Sequence, residues 1–220
     1  MTPRFLLSGY YGFNNLGDEA LLEIIVEQLR RRFPGCGVDV LSNDPAATAR
    51  TYGVESTPRA NLRAVRAAVN LPVLRKDFML VPWQIWESYV MGADCILLIM
   101  AALSNQAARD LEAIARDLDL DILVEVHNRV ELDRALGLQT SLIGVNNRNL
   151  KTLKTDLQVT VDLAPFVPPD RLLVTESGLR THADVKRMGE AGAQCLLVGE
   201  SLLRQPDVGA AVHALLGTDA

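Results

Sequence analysis

Several residues of this sequence set an ionisable or hydrogen-bonding group at the end of an otherwise apolar run. Lys76 ends LPVLRKDF (71–78), Glu125 ends DILVEVH (121–127), Asn146 and Arg148 end SLIGVNNRNL (141–150), and Glu176 and Ser177 end RLLVTESG (171–178). Lysine and carboxylate side chains give and take protons near neutral pH when burial and neighbouring charges move their pKa values. A glutamate inside an apolar run is costly to bury without a partner or a task, so Glu125 is read as a site residue. Neighbouring polar residues take plainer readings. Asp77 is an ion-pair or orienting partner, and His127 is a satisfied or solvent-facing histidine. His182 and His213 lie on helix surfaces, and Trp83 and Trp86 pack on one helix face. No cluster has metal-ligand spacing, so no metal and no cofactor is expected.

Six apolar runs carry these positions: the four above, DCILLIMAAL (94–103) and QCLLVGES (194–201). They are apolar throughout rather than alternating, which means burial on both faces and hence parallel strands joined by right-handed crossovers. Helical patterns lie between them. Pro82–Ala93 opens on proline, Ser104–Leu118 and Thr181–Ala191 follow capping residues, and Asn128–Leu136, Asp156–Leu163 and Asp207–Leu216 complete the set. Such a row of strands, polar at the carboxyl ends, is the layout of a (β/α) barrel enzyme. Upstream, RFLLSG (4–9) and VDVLS (38–42) read as strands, Leu16–Phe33 as a long amphipathic helix, and Pro45–Tyr52 and Asn61–Val69 as shorter ones. VEST (54–57) is a candidate short strand. Two upstream strands plus six make eight, the number that closes a TIM barrel. The expected fold is therefore α/β, a (β/α)8 TIM barrel of one domain.

The net charge of −5 argues against a nucleic-acid or acidic-membrane partner. The Arg30–Arg32 run reads as a helix C-terminus. Three cysteines without a C-x-x-C pair suit a reducing cytoplasm, with Cys95 and Cys195 packed as small hydrophobes. No signal peptide or membrane span is expected.

From about Asn61 to Gly217 the chain resembles indole-3-glycerol-phosphate synthase, carried by LPVLRKDF, GADCILLIMAAL, LVEVH, IGVNNRNL, VTESGL and CLLVGESLL in that order. The resemblance implies decarboxylating closure of an indole ring from a phosphorylated small-molecule substrate in tryptophan biosynthesis, with Lys76 as general acid and Glu125 as acid/base. It implies that Asn146, Glu176 and Ser177 hold the anthranilate portion and that Arg148 faces the substrate carboxylate, with Phe78 packing on its ring. Gly178, Gly199, Glu200 and Ser201 are expected to hold phosphate through backbone N–H groups at a helix start. Tryptophan-pathway partner proteins are unknown.

The first strand lacks the family's glutamate–lysine pair: RFLLSG has neither, and Asp18 and Glu19 do not replace them by position. Instead, residues 1–57 resemble the amino-terminal part of the polysaccharide pyruvyl transferase family, carried by G-Y-Y-G-F-N-N-L-G-D-E (9–19) after a strand. The expected seam lies between Thr57 and Val69, so that a Rossmann-like βαβα segment supplies strands 1 and 2 of the barrel. The resulting expectation is a synthase-like chain with impaired turnover; the alternative is a catalytically inactive fusion or fold-chimera barrel that at most binds phosphate.

Overall fold

The computed structural model describes residues 4–8, 26–27, 30–31, 34, 37–42, 45–52, 55–58, 62–150 and 152–218. The chain divides into two compact units, Met1–Val69 and Asn70–Ala220. The first holds a three-stranded parallel sheet in the order β1 (Arg4–Ser8), β2 (Gly37–Ser42), β3 (Glu55–Pro58). Helices α1 (Pro45–Tyr52) and α2 (Leu62–Ala68) belong to it. The candidate strand at 54–57 is therefore a strand, shifted by one residue. The glycine- and asparagine-rich loop at 9–19, and with it Asp18 and Glu19, lies outside the described residues. So does most of the helix expected over 16–33, of which 26–27 and 30–31 are helical.

The second unit is a six-stranded, all-parallel sheet in which every strand pairs with the next one along the chain. The strands are β4 (Leu74–Arg75), β5 (Cys95–Ile99), β6 (Asp121–Val126), β7 (Leu142–Asn146), β8 (Leu172–Glu176) and β9 (Cys195–Leu197). Helices return between them: α3 (Pro82–Met91), α4 (Asn105–Asp117), α5 (Arg129–Ala135), α6 (Gln158–Leu163) with a 3₁₀ turn at Ala164–Phe166, and α7 (His182–Glu190). After β9 come α8 (Glu200–Leu203) and α9 (Val208–Leu216).

The helix starts are written locally. Ser104 Oγ accepts from Ala107 N at 3.1 Å, and Asn128 Oδ1 from Glu131 N at 3.0 Å. Thr181 and Asp184 exchange side-chain and backbone bonds in a capping box. Val81, ahead of α3, has no polar side chain. Gln84 supplies the missing groups: its Oε1 accepts from the N–H groups of Leu80 and Val81, and its Nε2 donates to Phe78 O at 2.7 Å. That stitch fixes the loop leaving β4, two residues past Lys76.

Strand parity builds the core. Ile96, Leu98, Ile122, Val124, Ile143, Val145 and Leu173 point one way and pack with Leu111, Ala115 and Leu132 of the helices. The alternate residues Leu97, Ile99, Leu123 and Val174 point the other way, with Leu74, Cys95, Leu142 and Leu197 packed against them. Both faces of β5–β8 are thus apolar, as continuous apolar runs require. The sheet's ends are less covered. Cys195, expected to pack as a small hydrophobe, is exposed, because it opens the short edge strand β9. Trp83 and Trp86, expected to pack, are 70% and 49% exposed; α3 turns Ile85 and Ser88 inward instead.

Candidate active site

The second, inner face of the sheet carries the ionisable groups, and period-2 geometry explains why. Lys76 lies two residues past Leu74, Glu125 two past Leu123, and Glu176 two past Val174; Gly144 and Asn146 lie two and four past Leu142. Side chains at such spacing share a face. The register then aligns them across strands: Glu125 pairs with Gly144, and Asn146 with Glu176.

Lys76 Nζ donates to Glu125 Oε2 at 2.9 Å and lies 3.0 Å from Glu176 Oε2. The two glutamate side chains are 2% and 0% exposed, whereas that of Lys76 keeps 40% of its surface open. The ammonium therefore sits between two buried carboxylates with its outer side free. Glu176 reaches this position because β7 has no side chain at Gly144: a Cβ there would lie 2.1 Å from Glu176 Oε1. Neither oxygen of Glu176 receives a hydrogen bond among the described residues.

These contacts set the charges. Burial opposes ionisation of Glu125, but His127, the Lys76 ammonium and Asn146 together outweigh it and hold the carboxyl well below its ordinary range. Burial dominates at Glu176 and pushes it up to about 7; the Lys76 charge pulls down and the Glu125 charge pushes up. Burial works against the Lys76 charge, yet the charges of Glu176 and Glu125 leave its pKa raised. One cation and two unequal carboxyls make a proton donor, a ready acceptor and a group that titrates near neutrality.

The loops around this cluster are rigidly held. Asn147, 1% exposed, donates to Thr175 Oγ1, Glu176 O and Ser177 O at 3.0, 3.0 and 3.1 Å. It accepts from Thr160 N and Oγ1 at 3.1 and 2.8 Å. Every polar atom of its amide is used, and β7, α6 and the end of β8 are tied together. Past β8 the chain turns through Ser177 (φ 66°) and Gly178 (φ 84°), and a Cβ on Gly178 would strike Thr155 Cγ2 at 2.5 Å. Only glycine fits there.

Beside Lys76 opens a cavity of 860 Å³, lined by Arg148, Ser177, Gly178, Arg180, Gly199, Glu200, Ser201 and Arg204 among others. Arg148 is tied to the exposed carboxylate of Glu200, which also meets Arg204 at 2.7 Å. Ser201 Oγ donates to Leu179 O at 2.7 Å. The cavity thus offers three arginines and one lysine against one glutamate at its wall, a balance that suits an anionic molecule.

Most expected site residues therefore converge: Lys76, Glu125, Asn146 and Glu176 in the cluster; Arg148, Ser177, Gly178, Gly199, Glu200 and Ser201 at the cavity. Phe78 is 52% exposed and is not among the residues lining the cavity. Asp77 is a partner of Arg75 at 3.4 Å and of Phe78 N at 2.9 Å, in line with its structural reading. His127 faces Glu125 instead of solvent, with a side chain only 12% exposed. Its signal was parity, since it stands two residues past Glu125. Gly144, Asn147, Thr160 and Thr175 had no such signal in isolation. His182 is half-buried, its Nδ1 3.1 Å from Leu215 O. Among the described residues no group of His, Cys, Asp or Glu can hold a metal, and no helix is long and apolar enough to cross a membrane.

Comparison with known proteins gives a consistent picture. The family model described as indole-3-glycerol phosphate synthase matches residues 58–215. The indole-3-glycerol phosphate synthase of Azospirillum brasilense is 52% identical over 206 residues, covering 87% of this chain and 79% of its own. That of Rhodospirillum rubrum is 50% identical over 208 residues, covering 88% and 79%. Matches of that extent reach upstream of residue 58. Among solved structures, a mutant tryptophan synthase alpha-subunit from Pyrococcus furiosus is similar with a TM-score of 0.58 at 14% identity, covering 96% of this chain and 97% of its own. KGPDC from Streptococcus mutans is similar with a TM-score of 0.57 at 11% identity, covering 99% and 97%. At such identities the likeness is one of fold, the α/β arrangement of TIM-barrel proteins.

Proposed function

We infer that this chain, which belongs to the indole-3-glycerol phosphate synthase family, closes the indole ring of a carboxyphenylamino-deoxyribulose phosphate to give indole-3-glycerol phosphate in tryptophan biosynthesis. The observation that supports the chemistry best is the Lys76 ammonium held between the buried carboxylates of Glu125 and Glu176, at the mouth of a cation-rich cavity. The ring carbon bearing the carboxylate attacks the carbonyl carbon, and a carbon–carbon bond forms. Lys76 protonates the carbonyl oxygen as that bond forms. The ring's carboxylate leaves as carbon dioxide, and the electrons of the broken carbon–carbon bond restore aromaticity. Lys76, reprotonated from solvent on its open side, gives a second proton to the new hydroxyl, which departs as water, while Glu125 takes the proton released on the amine side. In this scheme Asn146, Glu176 and Ser177 hold the anthranilate portion, with Phe78 packing on its ring. Arg148, freed from Glu200, faces the carboxylate, since its fork matches that group. Gly178, Gly199, Glu200 and Ser201 take the phosphate through their backbone. The setting is cytoplasmic, without nucleic-acid or membrane partners.

Strand β1 holds neither the glutamate nor the lysine expected of the family's first strand. Groups that act together lose activity non-additively, so turnover is expected to fall orders of magnitude below that of an intact synthase. We also propose that the chain works as one barrel-like domain in which residues 1–57 derive from a pyruvyl-transferase-like segment. The motif at 9–19 alone supports this origin, and relatives that match upstream of 58 bear against it. Genomic sequencing across residues 50–70 decides between one gene and a joined product.

The activity is tested by product fluorescence with wild type and Lys76→Ala. Slow turnover that vanishes in the variant supports the reading. Absence of turnover at any protein concentration favours the inactive chimera, and a rate equal to that of an intact synthase would refute the claim that the missing pair matters.

A further inference from the structure

We propose that His127 is a fixed imidazolium that holds Glu125 ionised and aligned from the side opposite Lys76. The inference rests on the reading of Glu125 as a proton acceptor and goes beyond it to a residue that touches no substrate.

Glu125 has two oxygens and a cationic partner for each. Oε2 accepts from Lys76 Nζ at 2.9 Å, and Oε1 lies 3.3 Å from His127 Nε2. The second contact lies within ion-pair distance but lacks hydrogen-bond geometry, so Nε2 is a buried nitrogen without a hydrogen-bond partner among the described residues. The other ring nitrogen, Nδ1, lies 2.9 Å from Glu131 Oε2. Each ring nitrogen thus faces a carboxylate. An ionised carboxylate only accepts, so a proton on each nitrogen lets Nδ1 donate to Glu131 and gives buried Nε2 a charge attraction to Glu125. A neutral ring would turn a lone pair toward one of the anions.

The ring is also anchored. Glu131 Oε2 accepts from His127 N at 2.8 Å, and Glu131 Oε1 accepts from Asn128 Nδ2 at 2.7 Å. The same Glu131 donates its own N–H to Asn128 Oδ1 at the start of α5. Helix α5 therefore delivers one carboxylate and the end of β6 the other, with the ring between them. Glu125 and Glu131 are the charged groups within ion-pair distance of His127 among the described residues, and Lys76 bears on it through Glu125. Burial pulls the His127 pKa down, but the close carboxylates of Glu125 and Glu131 prevail and raise it to about 9.

The consequence is a division of labour. Lys76, open on one side, can lose its proton to substrate without leaving Glu125 uncompensated. His127 keeps a positive charge behind Glu125 throughout, so Glu125 stays an acceptor while Lys76 is discharged.

The test is NMR titration of the intact chain, labelled at histidine and at the glutamate carboxyl carbons, in wild type, Glu125→Gln, Glu131→Gln and His127→Asn. Three histidines make assignment by the last variant direct. His127 is expected to titrate above pH 8 in wild type and at least one unit lower in Glu125→Gln and in Glu131→Gln. The Glu125 carboxyl carbon is expected to stay flat from pH 5 to 8 in wild type and to titrate within that range in His127→Asn. His127 titrating near its ordinary value, or unmoved by Glu125→Gln, overturns the proposal. So does a Glu125 signal unchanged in His127→Asn. Where wild type turns over, the acid limb of kcat/KM should move up by a unit or more in His127→Asn and stay in place in Glu131→Gln, whose imidazolium is still charged at acid pH, a pattern that a loss of packing would not cause. If wild type forms no indole product, the functional reading fails, while the titrations still decide the charge on His127.

Discussion

Replacing Gly144 by alanine tests the construction of the site with one methyl group. The added Cβ would lie 2.1 Å from Glu176 Oε1, 3.1 Å from Leu123 Cδ1 and 3.3 Å from Glu176 Cδ. An ordinary carbon–oxygen contact is about 3.2–3.5 Å, so the carboxylate must move by roughly 1 Å. Glu176 is fully buried and cannot yield into solvent. Its displacement stretches or breaks the 3.0 Å contact with Lys76. Overpacking costs about 1–3 kcal/mol, and the strand regains about 0.5–1 kcal/mol because alanine is less free than glycine when unfolded. A net loss of about 1–2 kcal/mol lowers Tm by roughly 2–8 °C in a chain of this size. Misplacing a group at the reacting centre by about 1 Å costs on the order of 100-fold in rate. The expected outcome is a modest fall in Tm by calorimetry with a fall in kcat/KM of about two orders of magnitude in the fluorescence assay. The double variant Gly144→Ala/Glu176→Ala should be no slower than Glu176→Ala alone, because the methyl acts through that carboxylate. A Gly144→Ala enzyme within about threefold of wild type, or additive losses in the double variant, would refute the argument.

Other outcomes follow from the same contacts. Lys76→Ala should lower turnover by about 10²–10⁴-fold, the usual range for a general acid, while lowering stability more at pH 8 than at pH 5, where Glu176 can take up a proton; urea melts at the two pH values check this. Asn147→Ala strips the partners from buried groups of Thr160, Thr175 and the β8 turn, and should cost about 2–4 kcal/mol, measurable as a lower urea midpoint. Wild-type stability should also depend on pH. The His127 contribution is full below its ordinary pKa of 6.5 and is lost as pH rises through about 9. The full shift is worth about 3 kcal/mol, or about 2 kcal/mol after allowance for solvent screening. Glu176, raised toward 7, also withdraws its contribution as pH rises from 4.5, whereas the Glu125 contribution is complete above 4.5 and lost only toward pH 2. Stability should therefore decline from about pH 4.5 to pH 9, and His127→Asn should flatten the upper part of that decline; urea titrations across the range measure it.

Much of the site was legible because it follows strand parity. Lys76, Glu125, Asn146 and Glu176 meet because each continues the inward phase of an apolar strand that could be recognised in the sequence. His127 obeys the same rule, yet a single histidine carries little weight until Glu131, four residues on, is seen to reach back to it. Asn147 has the opposite phase and was invisible for another reason. Its partner Thr175 stands on the neighbouring strand β8, but Thr160 comes from α6, whose approach depends on the irregular chain between β7 and α6. Trp83, Trp86 and Cys195 misled because their types favour burial, whereas their exposure depends on what covers α3 and the edge strand β9. The expected runs are longer than the strands they hold: of 71–78, only Leu74 and Arg75 pair with β5.

The consecutive strand order from β4 to β9 has a consequence for how the charged cluster comes into being. Each pairing joins neighbours along the chain, so no strand waits for a distant partner, and closure of each loop costs little entropy. During synthesis Lys76 emerges before Glu125, and Glu125 before Glu176. Every acid that is later buried thus enters a sheet whose cation has already been made.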